Sequence, residues 1–208
     1  MADRRLILAS ASPARLGVLR GAGIEPVVRV SGVDEDALAA TLTDATPVEL
    51  VTALAAAKAA AVATDIATEH PDAVVVGCDS MLHIGGKLAG KPGCVDVAVR
   101  RWQEMAGGTG ELITGHAVVR LDQGVRTAAA SGAQSTVIRF STPSAEEIGA
   151  YVGTGEPLQV AGAFTLDGRG GWFVDGIDGD PSSVIGISLP LTRRLLAEVG
   201  VPVVSLWS

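Results

Sequence analysis

Carboxylate side chains stand where two strands of this chain are predicted to end. Asp79 closes the buried-strand pattern "DAVVVGCDS", and Asp34 and Glu35 lie in the acidic segment "VDED" just beyond another strand pattern. Because open α/β sheets bind ligands at the ends of their strands, we expect Asp79 to hold a metal, act as a base or act as a nucleophile. The nucleophile role is disfavoured, since Met81 stands where aspartyl-phosphate phosphatases carry a second aspartate. A carboxylate from each segment would suit a shared Mg²⁺ or Mn²⁺, which prefer oxygen ligands, whereas a solvated acidic turn is the alternative for residues 34–36.

A phosphate-binding turn is predicted within residues 6–23. An apolar run is followed there by the small residues of "SASPAR" and by a helical pattern. Ser12 and Pro13 fit the N-cap and the first helical position. The N–H groups at a helix N-terminus favour anions, Ser10 and Ser12 would add hydroxyl donors, and Arg15 would add a forked cation suited to phosphate oxygens. The alternative is an ordinary capped helix with a solvated arginine.

Two lysines could extend such an anion site. Lys58 is the only charge in "ALAAAKAAAVA", where it either reaches solvent along its stem or points into a cleft. Lys91 ends "GGKLAGK", which has the spacing of a nucleotide P-loop. Pro92 follows it, however, so the hydroxyl that binds Mg²⁺ is missing and no helix can begin there. We therefore reject a P-loop, and Lys91 is either a phosphate ligand in an extended loop or a surface lysine.

Short apolar runs alternate with helical patterns along the chain, which predicts an α/β fold with a mixed sheet. Thr46 and Glu49 form a capping box that predicts the start of a long helix, and a last helix is predicted over Pro190–Gly200. The segments "EPVVRVSG", "GELITGHAVVRL", "AQSTVIRF", "GWFV" and "VPVVSLW" predict further strands. No linker or change of composition divides the chain, so we expect one domain over residues 1–208.

The composition excludes several classes of protein. Hydrophobic residues make up 48% and charged residues 19%, as in globular proteins, and the net charge of −7 disfavours nucleic acid and anionic membranes as partners. No apolar run approaches the roughly 20 residues of a membrane span, and the stretch after the charged start is too short for the core of a signal peptide. Cys78 and Cys94 predict buried free thiols, and the three histidines lack metal-ligand spacing. We therefore expect a cytoplasmic protein without a zinc site.

Taken in order along the chain, these segments resemble the Maf family of nucleoside triphosphate pyrophosphatases. The stretch "LILASASPAR" is similar to the family's N-terminal signature, a strand followed by S-x-S-P-x-R. The acidic loop, the helix lysine, the strand that ends in aspartate and the G-K-P loop correspond to "SGVDED", "AAAKAAAVA", "VVVGCDS" and "GKLAGKP". Residues 151–189 are similar to the family's C-terminal half. Each motif is weak alone, but their order and spacing together are specific.

The resemblance implies a Maf/ITPase-like fold, in which a mixed central β-sheet flanked by helices forms two lobes around a substrate cleft, often in a homodimer. It implies hydrolysis of a nucleoside triphosphate to the monophosphate and pyrophosphate with a divalent cation, Mg²⁺ or Mn²⁺. By the same resemblance Asp79 is the general base and a metal-associated carboxylate, and Glu35 is a metal ligand. The residues that would hold the triphosphate are Ser10, Ser12, Arg15, Lys58 and Lys91.

Three positions tied to base selection depart from the family branch that prefers dTTP and UTP. Ala14 stands where many members have an arginine, Ser80 stands where that branch often has threonine, and Asp167 in "TLDG" replaces the glutamine of "GIQG". Asp167 could accept hydrogen bonds from a guanine-like edge, as in the branch that prefers 7-methyl-GTP. We therefore expect a modified or non-canonical nucleotide as substrate, removed in nucleotide house-cleaning.

Two other functions stay open at the level of sequence. A nucleotide-binding regulatory protein would keep Arg15, Lys58 and Lys91 but lack a working base, and the presence of Asp79 and Glu35 favours catalysis instead. A phosphatase that cleaves single phosphates would release orthophosphate rather than pyrophosphate.

Overall fold

A computed structural model describes residues 4–208, so the first three residues of the charged start lie outside the described part. The strands are β1 (Arg5–Leu8), β2 (Val27–Val28), β3 (Ala73–Ile84), β4 (Lys87–Ala89), β5 (Thr109–Asp122), β6 (Val125–Phe140) and β7 (Val174–Asp178). The α-helices are α1 (Pro13–Gly21), α2 (Glu35–Ala40), α3 (Pro47–Asp65), α4 (Val95–Met105), α5 (Ala145–Gly153), α6 (Pro181–Ile185) and α7 (Leu189–Glu198). Short 3₁₀ helices cover Glu156–Gln159, Ala161–Ala163, Arg169–Phe173 and Val203–Leu206.

The strands form one mixed sheet in the order β2-β1-β3-β5-β6-β7, with β4 paired to β3. β1 runs parallel to β2 and β3, whereas β4 is antiparallel to β3 and β7 is antiparallel to β6. Gln123 and Gly124 join β5 to β6 with positive φ angles of 53° and 76°. Two such residues form the tight turn that suits the twist of a hairpin. The mixed α/β fold predicted from the sequence is therefore confirmed.

The described residues cluster into two compact units. The first comprises the chain up to Asp79 together with Thr114–Gln134 and Gly186–Ser208, and the second comprises Ser80–Ile113 and Ser135–Ile185. Three long strands, β3, β5 and β6, contribute residues to both units. Each unit has its own hydrophobic core.

In the first unit, β1 is covered on both faces. Leu6 and Leu8 belong to the core that includes Leu195 of α7, whereas Ile7 belongs to the core that includes Ala59 of α3. Successive side chains of a strand point to opposite faces, so a strand covered on both sides needs a continuous apolar run. This confirms the prediction of a doubly buried strand at the start of the chain.

In the second unit, the core is built around a buried tryptophan. The Trp102 ring meets the rings of Phe140, Tyr151 and Phe173 edge to face or nearly so, with centroids 5.6–5.9 Å apart. Its indole N–H donates to the carbonyl oxygen of Ala163 at 2.8 Å, so the polar atom of this buried side chain is satisfied. Aromatic packing of this kind fixes α4 and α5 against the second unit's strands.

Helix α3 approaches β3 and β5 closely because two glycines face it. A Cβ at Gly77 would lie 2.5 Å from the carbonyl oxygen of Ala55, and a Cβ at Gly115 would overlap the carbonyl oxygen of Val51. The helix begins at the predicted capping box, in which the Thr46 hydroxyl accepts from the Glu49 N–H. The small side chains of "ALAAAKAAAVA" thus allow the backbone of α3 to lie close to β3 and β5, in addition to favouring a helix.

By length and composition alone, α3 could also cross a membrane, which departs from the expectation that no run in the chain is long and apolar enough. Core helices of proteins pass the same test. Seven residues of α3 are buried within the described structure, including Lys58. The helix is therefore a weak indication of a membrane span.

Asp79 lies inside a strand rather than at its end, which corrects the sequence prediction. β3 continues to Ile84 because β4 pairs with residues 82–84. The parallel pairing of β1 with β3 stops at Leu8 and Val76, however, and the next N–H of β1's chain donates to the Val76 carbonyl oxygen. Asp79 therefore still lies beyond the end of β1, where a side chain can face a ligand.

Two acidic or extended segments near the N-terminus differ from prediction. The strand predicted in "EPVVRVSG" is reduced to Val27–Val28. The acidic segment is not a loop, because Asp34 caps α2 by accepting from the Ala37 N–H at 2.9 Å and Glu35 occupies the first turn. Acidic side chains are favourable at that end of a helix.

Two strands predicted in the C-terminal half are wrong. The stretch "GWF" belongs to the 3₁₀ helix Arg169–Phe173, and the strand begins at Val174. The last predicted strand is a 3₁₀ turn over Val203–Leu206. Pro202 precedes that turn and has no N–H of its own to donate to a sheet ladder.

We expect Gly115→Ala to lower the free energy of unfolding by about 1–3 kcal/mol, because the new methyl group forces α3 away from β5. Urea unfolding followed by tryptophan fluorescence measures this change. The control is Gly17→Ala in α1, where a Cβ meets nothing within 4 Å and the substitution favours the helix by about 1 kcal/mol. Equal effects of the two substitutions would contradict the close approach of α3.

Candidate functional site

The turn for which the sequence predicts phosphate binding, called the phosphate turn below, lies between β1 and α1. Ser12 caps α1, since its hydroxyl accepts from the Arg15 N–H at 3.4 Å, and Pro13 occupies the first helical position. The Ser12 N–H in turn donates to the Ser10 hydroxyl at 3.2 Å. Ser10 is buried and Ser12 half-buried, and Ala14 follows on the same turn with a half-buried side chain. Two serine hydroxyls thus form a compact turn at the positive end of a nine-residue helix.

Arg15 is folded back onto the strand ends rather than extended into solvent. One terminal nitrogen, Nη1, donates to the Ser10 hydroxyl at 3.0 Å and to the Cys78 carbonyl oxygen at 2.9 Å. Its Nε donates to the carbonyl oxygen of Gly186 at 2.9 Å. The arginine therefore ties β3 and the segment before α7 to the phosphate turn. These three hydrogen bonds hold the guanidinium in one position beside the turn.

Lys58 and Asp79 form a buried ion pair in the first unit. The Lys58 Nζ lies 2.6 Å from Asp79 Oδ1, and each side chain is 8% exposed. The close approach of α3 at Gly77, two residues before Asp79, brings the lysine to this distance. Lys58 thus does not reach solvent along its stem, which was one of the two alternatives for it. Removing one member of a buried pair leaves an uncompensated charge and costs about 3–5 kcal/mol.

Glu35 shares the same ammonium group. Its Oε1 lies 2.9 Å from Lys58 Nζ, but its side chain is 48% exposed. One cation therefore bridges a buried and a half-exposed carboxylate, and both predicted metal ligands meet at a single point. The spacing in sequence between residues 35, 58 and 79 gives no hint of this arrangement.

The two carboxylates fit a divalent cation. Asp79 Oδ2 is buried and has no hydrogen-bond partner among residues 4–208, so its lone pairs are not used by the described residues. Mg²⁺ is commonly held by one or two carboxylates and completes its shell with water and substrate phosphates. The described residues contain no group of three or more metal-ligating side chains. The donor set therefore suits a cation that arrives with a phosphate ligand rather than one held in a closed protein cage.

Cys78 lies next to Asp79 in the sequence, but its thiol is not in the reactive, deprotonated form. Burial raises the pKa of its thiol to about 11, although Arg15 and Lys58 pull the pKa in the opposite direction. At neutral pH the thiol is therefore protonated, and the thiolate is the nucleophilic form. The contribution of Cys78 to this site is its backbone carbonyl, which holds Arg15.

Three predicted site residues belong to the second unit. Ser80 follows Asp79 in β3 and is half-buried. Lys91 lies in the loop between β4 and α4 with an exposed side chain and has no ion-pair partner within the described part of the chain. Pro92 after it is buried, and the Gly90 carbonyl oxygen before it accepts from Arg101 at 2.5 Å. The loop is held on both sides of the lysine and contains no helix, in agreement with rejecting a P-loop.

Asp167, the remaining predicted residue, is exposed in a loop that folds onto Glu156. Glu156 Oε1 accepts from the Thr165 hydroxyl at 2.5 Å and from the Gly170 N–H at 3.2 Å. A Cβ at Gly168 would lie 2.6 Å from the same oxygen, so a larger residue there would displace the Glu156 carboxylate. Burial raises the pKa of Glu156, but the hydrogen bonds outweigh burial and hold its pKa below the usual range. The loop is thus fixed on both sides of Asp167.

The sequence analysis missed the residues that hold Arg15 and the residue that holds the loop of Asp167. Gly186 and Cys78 act through backbone carbonyls, which no side-chain pattern reveals. Glu156 gave no signal either, because it precedes its partners Thr165 and Gly170 by nine and fourteen residues. A charged residue followed by a glycine-rich segment was the only available hint.

Comparison with known proteins places these features in a family. The family model described as Maf-like protein matches residues 5–199. A protein of Saccharopolyspora erythraea named nucleoside triphosphate pyrophosphatase is 66% identical over 204 residues, which cover 98% of this chain and 97% of that protein. Proteins with the same name from Nocardia farcinica and a Mycobacterium species are 62% and 57% identical, with at least 96% of each chain covered.

We expect one thiol to react with a disulfide reagent such as DTNB at pH 8 in the folded protein. Cys94 is exposed, which corrects the prediction that both thiols are buried, whereas Cys78 is buried with a raised pKa. The second thiol should react only after unfolding in urea. In the Cys94→Ser control no thiol should react before unfolding. Rapid reaction of two thiols in the folded protein would contradict the buried setting of Cys78.

Proposed function

Because this chain belongs to the Maf family, we propose that it is a nucleoside triphosphate pyrophosphatase, which hydrolyses its substrate to the monophosphate and pyrophosphate. The observation that carries the proposal is the buried pair of Lys58 and Asp79, one residue from the carbonyl that holds Arg15. A carboxylate and two cations at one place match what hydrolysis of a polyanionic anhydride requires. They also let a protein of net charge −7 attract an anion locally.

The phosphate turn is proposed to bind the triphosphate. Arg15 and the hydroxyls of Ser10 and Ser12 offer donors suited to phosphate oxygens, and the N-terminus of α1 adds a favourable dipole. This accounts for an arginine in a first helical turn that contains no acidic residue. The negative charge that such a turn favours would come from the substrate. Lys91 is proposed as a further phosphate ligand, supported by its place in a fixed loop.

Asp79 is proposed as the general base. Its Oδ2 would take a proton from a water molecule, and the oxygen of that water would bond to the α-phosphorus. The bond from the α-phosphorus to the bridging oxygen breaks, and pyrophosphate leaves with that oxygen. Arg15 and Lys58 would stabilise the negative charge that develops on the phosphoryl groups.

A divalent cation, Mg²⁺ or Mn²⁺, is part of the proposal, and Asp79 and Glu35 are the residues that would hold it. When bound, such a cation supplies Lewis-acid stabilisation of phosphoryl oxygens. The support for it is the orphaned Asp79 Oδ2 and the convergence of both carboxylates on one point.

The preferred substrate is proposed to be a modified or non-canonical nucleotide. Asp167, Ala14 and Ser80 all differ from the pattern of the dTTP- and UTP-preferring branch. The Asp167 carboxylate is exposed in a loop that Glu156 fixes, so it can present two acceptor oxygens to a base. The N–H groups of a guanine-like edge are matching donors.

We expect Asp79→Asn to lower the rate of pyrophosphate release by about 10²–10⁴-fold, because the amide cannot accept the proton. Pyrophosphate and orthophosphate are assayed in parallel with a nucleotide panel and Mg²⁺ or Mn²⁺. Asp65→Asn, at the exposed end of α3, is the matched control and should keep full activity. Unchanged turnover in Asp79→Asn would refute the base, orthophosphate as the product would indicate a phosphatase, and tight nucleotide binding without turnover would indicate a regulatory protein.

We expect the wild-type protein to have a higher kcat/KM for 7-methyl-GTP than for dTTP or UTP. Asp167→Asn should lower kcat/KM for the methylated substrate by roughly 10–100-fold, since hydrogen bonds to a charged acceptor are lost. Asp175→Asn, an exposed position on β7, should leave the preference unchanged. A preference of the wild type for dTTP or UTP would contradict this role of Asp167.

A further inference from the structure

Lys58 is proposed to bind phosphate, but in this structure it binds the two carboxylates that are proposed to hold the metal ion. Its ammonium group lies 2.6 Å from Asp79 and 2.9 Å from Glu35, so it is hydrogen-bonded to the two carboxylates that would hold the divalent cation. The pair is buried, and the other oxygen of Asp79 has no partner among the described residues. A lysine in that position neutralises the same negative charge that a metal ion would neutralise.

We propose that Lys58 is a tethered counter-ion that competes with the divalent cation for Asp79 and Glu35 until a triphosphate draws its ammonium group away. This inference rests on the proposed function, since it assumes a triphosphate and a metal at this site. It makes Lys58 a gate between the substrate-free and the loaded state, in addition to any contact with phosphate.

Charge balance gives the physical reason for the competition. Two carboxylates with one ammonium at hydrogen-bond distance carry a net charge of −1, and in a buried place the repulsion between the ammonium and an incoming divalent cation is only weakly screened. Without the ammonium the same carboxylates would present a net charge of −2. A divalent cation therefore binds the substrate-free protein weakly while Lys58 stays in place.

The side chain is suited to such a transfer. Its backbone is fixed in α3, where Gly77 of β3 lies against the helix, but its charge sits on a flexible four-carbon stem with three donors. The phosphate oxygens of a substrate offer it a new set of acceptors. The move would leave Asp79 and Glu35 to the cation that accompanies the triphosphate.

Competition of this kind requires reciprocal coupling between the two ligands. If the triphosphate removes Lys58 from the carboxylates, it raises the affinity for the metal, and the metal raises the affinity for the triphosphate by the same factor. Part of any such coupling comes from direct contact between metal and phosphate. The part that belongs to Lys58 is the part that disappears when the lysine is replaced.

The test measures Mn²⁺ binding to the substrate-free protein by the electron paramagnetic resonance signal of free Mn²⁺. We expect Lys58→Met to bind Mn²⁺ at least tenfold more tightly than the wild type, and Mn²⁺ to raise the melting temperature of this variant more than that of the wild type. Lys58→Gln, which keeps a donor for Asp79 but lacks the charge, should behave in the same way and serves if Lys58→Met does not fold. Lys87→Met, which removes an exposed lysine of β4, is the matched control and should bind like the wild type.

A non-hydrolysable triphosphate analogue completes the test. It should tighten Mn²⁺ binding to the wild type by a larger factor than to Lys58→Met. Equal or weaker Mn²⁺ binding in both Lys58 variants, or no binding in any variant, would overturn the proposal. Because these titrations need no turnover, they fail independently of pyrophosphate release, which tests the proposed function.

Discussion

The buried ion pair of Lys58 and Asp79 is the interaction on which the candidate site depends. Neither charge could be kept in a place that is 8% exposed without the other, because desolvation of an unpaired ion is expensive. The pair in turn requires the helix α3 to lie against β3, and Gly77 allows that approach. The ion pair thus requires Asp79 in β3, Gly77 beside it and Lys58 in the alanine-rich helix α3 at the same time. The half-exposed Glu35 then joins a charge centre that already exists.

Arg15 links this centre to the phosphate turn. Its guanidinium binds the Ser10 hydroxyl and the carbonyl oxygens of Cys78 and Gly186, so three chain segments hold its position. Arg15 is therefore held in place before any ligand binds. Such preorganisation lowers the cost of binding a polyanion, and it reconciles a net charge of −7 with an anionic substrate.

Features set by local rules could be predicted from the sequence. The Ser12 cap and the Thr46 capping box follow from side chains that reach their own backbone, and the continuous apolar run of β1 follows from burial on both faces. Features set by tertiary contact could not. The extension of β3 beyond Asp79 depends on β4, and the Lys58 ion pairs join residues 21 and 23 positions apart. The apolar tail after Pro202 matched a strand by composition but forms a 3₁₀ turn.

In the proposed reaction, water activated at Asp79 attacks the α-phosphorus of a nucleoside triphosphate. Hydrolysis in water enriched with oxygen-18, followed by mass spectrometry of both products, tests this claim directly. Attack at the α-phosphorus places the label in the nucleoside monophosphate and leaves the pyrophosphate unlabelled. Label in the pyrophosphate, or in released orthophosphate, would contradict it.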